Sequence, residues 1–135
     1  MEKELPARAV AAEIRAANGH LNIVVQVSGG GWCGATGMCE TMVLEPHGKS
    51  YRILYEESVR APIRQLATST NGHRDISVNI HEDAFTNYDI RLYFNGKRYV
   101  EGAKLNGYVN DKKLKPRPYG VLLMKDEYAG ELLFK

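Results

Sequence analysis

The stretch that decides the predicted fold is Leu21–Ser28, with the sequence LNIVVQVS. Apolar residues occupy every odd position from Leu21 to Val27, whereas three of the four even positions are polar. A period of two is typical of a β-strand that buries one face. We therefore predict that this segment is a strand whose odd-numbered side chains enter the core.

Similar strand patterns recur along the chain as far as Val100. Turn-forming sequences separate them: Pro46–Lys49, Asn71-Gly72, and Asn95-Gly96, which is typical of a type I′ hairpin. Short linkers favour antiparallel pairing of neighbouring strands. The further predicted strands are 40–45, 50–55, 63–70, 76–80, 88–94 and 97–100.

The segment before Leu21 has a different period. Proline at position 6 suits a first helical turn, and Asn18-Gly19 is a helix stop signal. The apolar side chains between them are spaced three or four residues apart, which predicts an amphipathic helix over residues 6–18. They are Ala7, Val10, Ile14 and Ala17.

Together these patterns predict an α+β fold, in which the N-terminal helix packs on a mainly antiparallel sheet of about six to seven strands. The chain has 135 residues, which fits a single domain over residues 1–135 with the sheet at 21–100. The C-terminal extension, residues 101–135, contains the apolar runs Gly120–Met124 and Gly130–Lys135. Because these runs need a core, we expect the extension to pack back on the sheet.

Composition excludes several classes of protein. Hydrophobic residues make up 44% and charged residues 25% of the chain, which is the globular average and excludes a disordered chain, a collagen and a coiled coil. The net charge of +2 does not indicate a polyanionic partner. No apolar run has the length of a membrane span, and no signal peptide is visible. We therefore expect either a cytoplasmic protein or a mature exported domain.

Two cysteines, Cys33 and Cys39, lie in a glycine-rich loop. Their spacing differs from a C-x-x-C redox pair, and no histidine lies close enough for a zinc motif. Gly34 and Gly37 allow the backbone to close a short ring, so the spacing favours a local disulfide and an oxidising compartment. The alternative is a pair of free thiols in a cytosolic protein.

The residues beside this ring form a candidate partner-binding loop on rigid, glycine-rich backbone. Its residues are Gly31, Trp32, Thr36 and Met38. The alternative is that Trp32 covers the disulfide and closes the end of the core.

Catalytic and metal-binding motifs are absent from the sequence, which has no Gly-x-Ser-x-Gly, P-loop or His-Glu-x-x-His. The histidines His20, His47, His73 and His81 are scattered, so we predict no metal site, no cofactor and no catalytic residue. His73-Arg74-Asp75 is interpreted as structural, with Asp75 capping the turn or pairing with Arg74. The alternative is a small hydrolase that uses Cys33 or Asp75 with a histidine.

Positive charge is concentrated near the C-terminus, where residues 97–117 carry seven basic and two acidic residues. Interleaved tyrosines make this region a candidate polyanion-binding surface. The alternative is an edge strand protected by lysines, and nucleic acid is not the favoured partner. The residues in question are Lys97, Arg98, Lys112, Lys113, Lys115 and Arg117.

Three segments carry a resemblance to known proteins: Gly31–Cys39, Thr70–Ile76 and Phe94–Tyr99. Together they resemble small bacterial exported proteins and lipoproteins of uncharacterised function, and this resemblance implies export and an antiparallel sheet but no activity. The disulfide loop is also similar to that of the periplasmic inhibitors of vertebrate-type lysozyme. In those inhibitors the loop carries a histidine and other polar residues, whereas residues 34–38 here have neither a histidine nor a charge.

The function predicted from the sequence is that of an exported, non-catalytic binding module, for example a periplasmic inhibitor or an immunity-type protein. Its partner is expected to be another protein or an envelope polymer, contacted through the loop around Trp32. The hydrolase and the polyanion binder remain the alternatives.

Overall fold

The computed structural model of the chain describes residues 8–28, 33, 37–110, 112–113 and 130–134. Strands and turns make up these residues, and none of them is helical. None of the described residues therefore belongs to a helix that could span a lipid bilayer. The strands are β1 (Arg8–Arg15), β2 (Leu21–Ser28), β3 (Cys39–His47), β4 (Ser50–Thr70), β5 (His73–His81), β6 (Thr86–Phe94), β7 (Tyr99–Val109), β8 (Lys112–Lys113) and β9 (Gly130–Phe134).

Strands β1 to β7 form one curled antiparallel sheet, a half-barrel in which each strand pairs with the next. The sheet curls along β4, which is 21 residues long and pairs with β3 through its first half and with β5 through its second. The β4–β5 ladder is interrupted between Arg60 and Arg64, a segment that contains Pro62, which has no N–H to donate. The predicted segment 63–70 is thus the second half of β4.

The predicted helix over residues 6–18 is wrong, and with it the α+β class: the described fold is all-β. Residues Arg8–Arg15 form β1, which pairs with β2 from Arg8↔Ser28 to Arg15↔Leu21. The side chains of Ala12 and Ile14 face the core, while Val10, at the outer end of the strand, is 42% exposed. Of these two members of the predicted apolar stripe, Ile14 is therefore buried and Val10 is exposed.

Two ambiguities in the sequence explain this error. The apolar residues Val10, Ala12, Ile14 and Ala16 recur at every second position, as in a strand. The helical spacing of three and four residues is met by Ala7, Val10, Ile14 and Ala17, so alanines belong to both patterns. Asn18-Gly19 is a hairpin signal as well as a helix stop. Here Gly19 has a φ of +87° in the β1–β2 turn, where its N–H donates to the Ala16 carbonyl over 2.9 Å. Pairing with β2 thus overrides the helical propensity of alanine.

The strand Leu21–Ser28 is confirmed, but its core face is the other one. Asn22 and Val24 are buried, whereas Leu21, Ile23, Val25 and Val27 are half-buried on the outer face. This phase follows from the register, because Val24 lies opposite Ala12 and Val43, both of which face the core. The core consists of Ile14, Val24, Val43, Leu54, Tyr55, Val59, Ile63, Ile76, Val78, Ile90, Leu92, Phe94 and Tyr99.

The hairpins agree largely with the sequence. Gly48-Lys49 connects β3 to β4, and Asn71-Gly72 connects β4 to β5, with φ values of +49° and +82°. Asn95–Arg98 is a four-residue loop rather than a two-residue type I′ turn, closed by Asn95 Oδ1, which accepts from the N–H groups of Lys97 and Arg98. Strand β9 pairs with β4. The apolar run 120–124 lies outside the described residues.

Candidate functional site

A groove of about 720 Å³ lies between β4 and β7. In the described part of the chain, the segment Ser50–Val59 of β4 pairs on one side only, with β3. β7 pairs with β6 along its length, and β8 covers only Tyr108 and Val109 on its other side. Among the described residues, the groove therefore lies between two strand edges that pair with no further strand at this point and can accept a partner. Its lining residues are Met38, Ile53 to Val59, Ile80 and Arg98 to Glu101.

Carboxylates dominate the charge of this groove. Among the described lining residues, Glu56, Glu57 and Glu101 are acidic and Arg98 is the only cation. Burial raises the pKa of the adjacent Glu40, and a hydrogen bond with Glu56 and the charges of Glu56 and Glu57 raise it further. The same field acts on Tyr55, whose pKa is raised by burial and then by the charges of Glu101 and Glu57. We call this surface the acidic groove.

The predicted disulfide between Cys33 and Cys39 is confirmed, and both cysteines of the chain are in it. Cys39 begins β3, so the bridge links Cys33 to the start of β3. Of the predicted partner-binding loop, Met38 lines the acidic groove. Gly31, Trp32 and Thr36 lie outside the described residues.

The basic residues of the proposed polyanion surface do not form one patch among the described residues. Lys97 and Arg98 precede β7, whereas Lys112 and Lys113 form β8, which pairs with the opposite end of β7. At about 3.3 Å per residue the two pairs lie on the order of 30 Å apart. Lys115 and Arg117 lie outside the described residues.

The structure brings two distant histidines together. His20 follows the turn Asn18-Gly19, and His73 follows the turn Asn71-Gly72, so the tripeptide Asn-Gly-His occurs twice. The two turns abut, because a Cβ atom at Gly72 would lie 3.1 Å from Nδ2 of Asn18. The imidazole rings consequently have centroids 4.0 Å apart. This repeated tripeptide was the sequence signal that could have identified the pair.

Glu45 of β3 joins the two histidines, and no motif in the sequence points to this residue. Its Oε2 lies 2.6 Å from Nε2 of His20 and 3.0 Å from Nε2 of His73. Burial acts to raise the pKa of Glu45, but the hydrogen bonds to His73 and His20 and the charges of the two imidazoles outweigh it, so the pKa lies below its usual value. We call these three residues the His-Glu-His cluster.

The bonding partners of Cys33 and Asp75 differ from those that the hydrolase alternative requires. Cys33 is bonded to Cys39. Asp75 is fully buried and accepts hydrogen bonds from Thr68, Thr70 and Arg91 over 2.6, 2.8 and 3.1 Å. The expected pairing with Arg74 is replaced, since the Arg74 side chain donates to the carbonyl oxygens of Arg15 and Leu66. His47 ends β3 as an exposed residue, and His81 ends β5 half-buried.

A second, smaller cavity of about 210 Å³ lies beside Pro62. Its polar wall is built around the buried Asp89, which accepts hydrogen bonds from Asn79 over 3.0 Å and from Tyr108 over 2.9 Å. The carboxylate thus has neutral donors, which suits a structural network that holds β5, β6 and β7 together.

Comparison of the chain with protein-family models, with curated protein sequences and with solved structures gives no significant match. Only the geometry of the acidic groove and of the His-Glu-His cluster therefore points to a function.

Proposed function

We propose that the protein is an exported binding module, acting by binding rather than by catalysis, that holds an extended basic segment of a partner protein in the acidic groove. The observation that carries this proposal is that the groove runs between two strand edges, β4 at Ile53–Val59 and β7 at Tyr99–Glu101, with Arg98 directly before β7. An inhibitor or immunity-type protein would be one form of such a module.

The edges explain why the ligand should be an extended chain. An unpaired strand edge presents alternating N–H and C=O groups, which an added strand satisfies with main-chain hydrogen bonds. The side chain of Ile53, which is 53% exposed, offers an apolar contact at one end of the groove, and Met38 offers another. These features suit alternating side chains of a strand.

The charges explain why the segment should be basic. Glu56, Glu57 and Glu101 face one cation, so a lysine or arginine side chain entering the groove gains attraction that an acidic chain would lose. A polyanion is disfavoured at this surface for the same reason. The separation of Lys97-Arg98 from Lys112-Lys113 leaves the polyanion alternative without a single surface among the described residues.

The disulfide supports the exported part of the proposal, because such bonds persist mainly in oxidising compartments. Met38 is the residue directly before Cys39, so the bridge restrains one wall of the groove. A restrained wall reduces the entropy that is lost when a ligand binds.

The test uses the full chain and two labelled peptides of equal length, one alternating Val with Lys and the other alternating Val with Glu. Fluorescence anisotropy should show that the Val-Lys peptide binds and that the Val-Glu peptide does not. The substitutions Glu56→Lys and Glu57→Lys should together weaken binding at least about tenfold. Added salt should also weaken it.

The matched control is Glu13→Lys, an exposed charge reversal on β1 away from the groove, which should leave binding unchanged. Equal binding of both peptides, or equal effects of the groove and control substitutions, would refute the proposal. Binding of a sulfated polysaccharide that depends on Lys97, Arg98, Lys112 and Lys113 would favour the polyanion alternative instead.

A further inference from the structure

The His-Glu-His cluster joins parts of the fold that the chain connects only through long segments. His20 precedes β2 and Glu45 lies near the end of β3, whereas His73 begins β5 on the far side of the curl in β4. A hydrogen bond from Nε of Arg74 to the Arg15 carbonyl, 2.9 Å long, holds β5 against the end of β1. The three side chains are therefore positioned by the backbone of four strands.

The donor atoms converge on one point. His20, Glu45 and His73 each offer one ligand atom, and these atoms all lie within 4.8 Å of one another. Two imidazole nitrogens and one carboxylate oxygen form a donor set typical of zinc and related metals. The other carboxylate oxygen of Glu45 lies 3.8 Å from Nη1 of Arg52, which leaves Oε2 as the oxygen directed at the histidines.

The orientation of His73 indicates that a positive charge belongs beside its Nε2. Nδ1 lies 3.2 Å from the Asn71 carbonyl oxygen, which can only accept a hydrogen bond, so Nδ1 carries a proton. The Nε2 lone pair of the neutral ring would then point at the carboxylate oxygen of Glu45, 3.0 Å away. A metal ion between the two atoms removes this repulsion.

The ring of His73 is also held in place. Its side chain is only 8% exposed, and it stacks on Phe94 with a centroid distance of 3.7 Å. Metal-binding histidines commonly donate their other ring N–H to a backbone carbonyl, which fixes the ring and its tautomer. The hydrogen bond from His73 Nδ1 to Asn71 is this kind of support.

We propose that His20, Glu45 and His73 bind a divalent late first-row transition-metal ion, with Zn²⁺ as the preferred ion. Ligand atoms around a tetrahedral zinc ion lie about 3.4 Å apart, so the present separations of 2.6 and 3.0 Å must widen slightly. His20 provides this movement, because its side chain is 36% exposed. The same exposure leaves a fourth position open to water or to a ligand group of a partner.

The bound ion would link the first strands of the sheet to β5. His20 and Glu45 belong to the part before the curl and His73 to the part after it, so binding to the folded state alone should raise the unfolding temperature. This inference is independent of the acidic groove, because none of the three residues lines it.

The test uses the full, untagged chain, treated with a chelator and kept non-reducing so that the cysteines remain in the disulfide. Calorimetric titration with Zn²⁺ should show one ion per chain, and Co²⁺ should give the intense visible bands of a tetrahedral site. Glu45→Gln and His20→Ala should each weaken Zn²⁺ binding at least about 100-fold. Zn²⁺ should raise the unfolding temperature of the unsubstituted chain but not that of Glu45→Gln.

The controls are His47→Ala and His81→Ala, which remove the two histidines outside the cluster and should leave the Zn²⁺ affinity unchanged. His73→Ala can disturb folding because it removes the stacking on Phe94, so the decisive variants are those at His20 and Glu45, of which His20 is the more exposed. No binding to the unsubstituted chain, or binding that survives both decisive substitutions, would overturn the proposal.

Discussion

Nε of Arg91 on β6 donates to Oδ2 of the fully buried Asp75 on β5 over a distance of 3.1 Å. Nη2 of the same guanidinium lies 3.1 Å from Oγ1 of Thr70, and Thr70 and Thr68 both donate to Asp75. The ion pair thus connects three neighbouring strands at a place where no water reaches the carboxylate. Removing one partner should leave an uncompensated polar group in the protein interior.

We therefore expect Arg91→Gln to lower the free energy of unfolding by about 1–3 kcal/mol, less than for a fully buried pair because the Arg91 side chain is one-third exposed. Asp75→Asn should also destabilise, and the double variant should cost less than the sum of the two. Urea unfolding of the two single variants and of the double variant measures these changes in the free energy of unfolding. Lys49→Gln, in the exposed β3–β4 turn, is the control, and an additive double variant would contradict this description of the pair.

Because residues Arg8–Arg15 form strand β1 and not a helix, a second prediction concerns Ala11 and Ala12. In the strand, Ala12 packs against the core while Ala11 is exposed. Ala12→Glu should therefore cost about 2 kcal/mol or more, because it places an unpaired charge at the core, whereas Ala11→Glu should cost less than about 0.5 kcal/mol. Neither position belongs to the apolar stripe of the predicted helix, so equal small effects would favour that helix.

The strands and the disulfide were predictable because their signals are local. Alternation identified β2, β5 and β6, and Asn71-Gly72 fixed the β4–β5 turn. The predicted helix was wrong because alanine and Asn-Gly fit both a helix and a strand hairpin. The predicted core face of β2 was wrong because its half-buried outer face is apolar as well. In both cases pairing with the neighbouring strand decides between patterns that the sequence leaves equal.

The candidate sites depended on long-range contacts and could be predicted only in part. His20 and Glu45 are 25 positions apart and are brought together by the pairing of β2 with β3. Glu45 and His73 are 28 positions apart, and the curl of the sheet brings them together. The repeated Asn-Gly-His tripeptide carried a signal for the two histidines but none for Glu45. Met38 was predicted as a contact residue. Glu56 and Glu57 belong to the candidate site because β4 has an open edge among the described residues, which the sequence does not reveal.

A third prediction concerns two buried tyrosines with different surroundings. The Tyr99 hydroxyl donates to the Arg74 carbonyl over 2.7 Å, whereas the Tyr55 hydroxyl has no hydrogen-bond partner among the described residues. Tyr99→Phe should thus cost about 1 kcal/mol or more, since it leaves a carbonyl oxygen without its donor. Tyr55→Phe should be neutral or stabilising. Chemical unfolding of the two variants side by side measures the difference, and equal costs would contradict the assignment.

Alkaline pH provides a fourth test of the same residues. Burial raises the pKa of both tyrosines, with the charges of Glu101 and Glu57 adding at Tyr55 and those of Asp75 and Glu45 at Tyr99. A raised pKa means that the folded state favours the neutral phenol. The contribution of the two neutral phenols to the free energy of unfolding is therefore complete below pH 10 and is lost as the pH rises above 10. Unfolding free energies between neutral and strongly alkaline pH should fall less steeply in the Tyr55→Phe and Tyr99→Phe double variant.

The last prediction separates the two roles that the Cys33–Cys39 disulfide could have. A closed ring of about seven residues removes at most about 2.4 kcal/mol of chain entropy from the unfolded state, so Cys33→Ala with Cys39→Ala should lower stability by no more than that. Because Met38 lines the acidic groove next to Cys39, the same variant should weaken binding of the Val-Lys peptide more than Glu13→Lys does. Alkylation without reductant should modify neither cysteine in protein taken from its native compartment. Normal peptide affinity in the double alanine variant would show that the bridge stabilises the chain without shaping the groove, and alkylated cysteines would remove the support for an oxidising compartment.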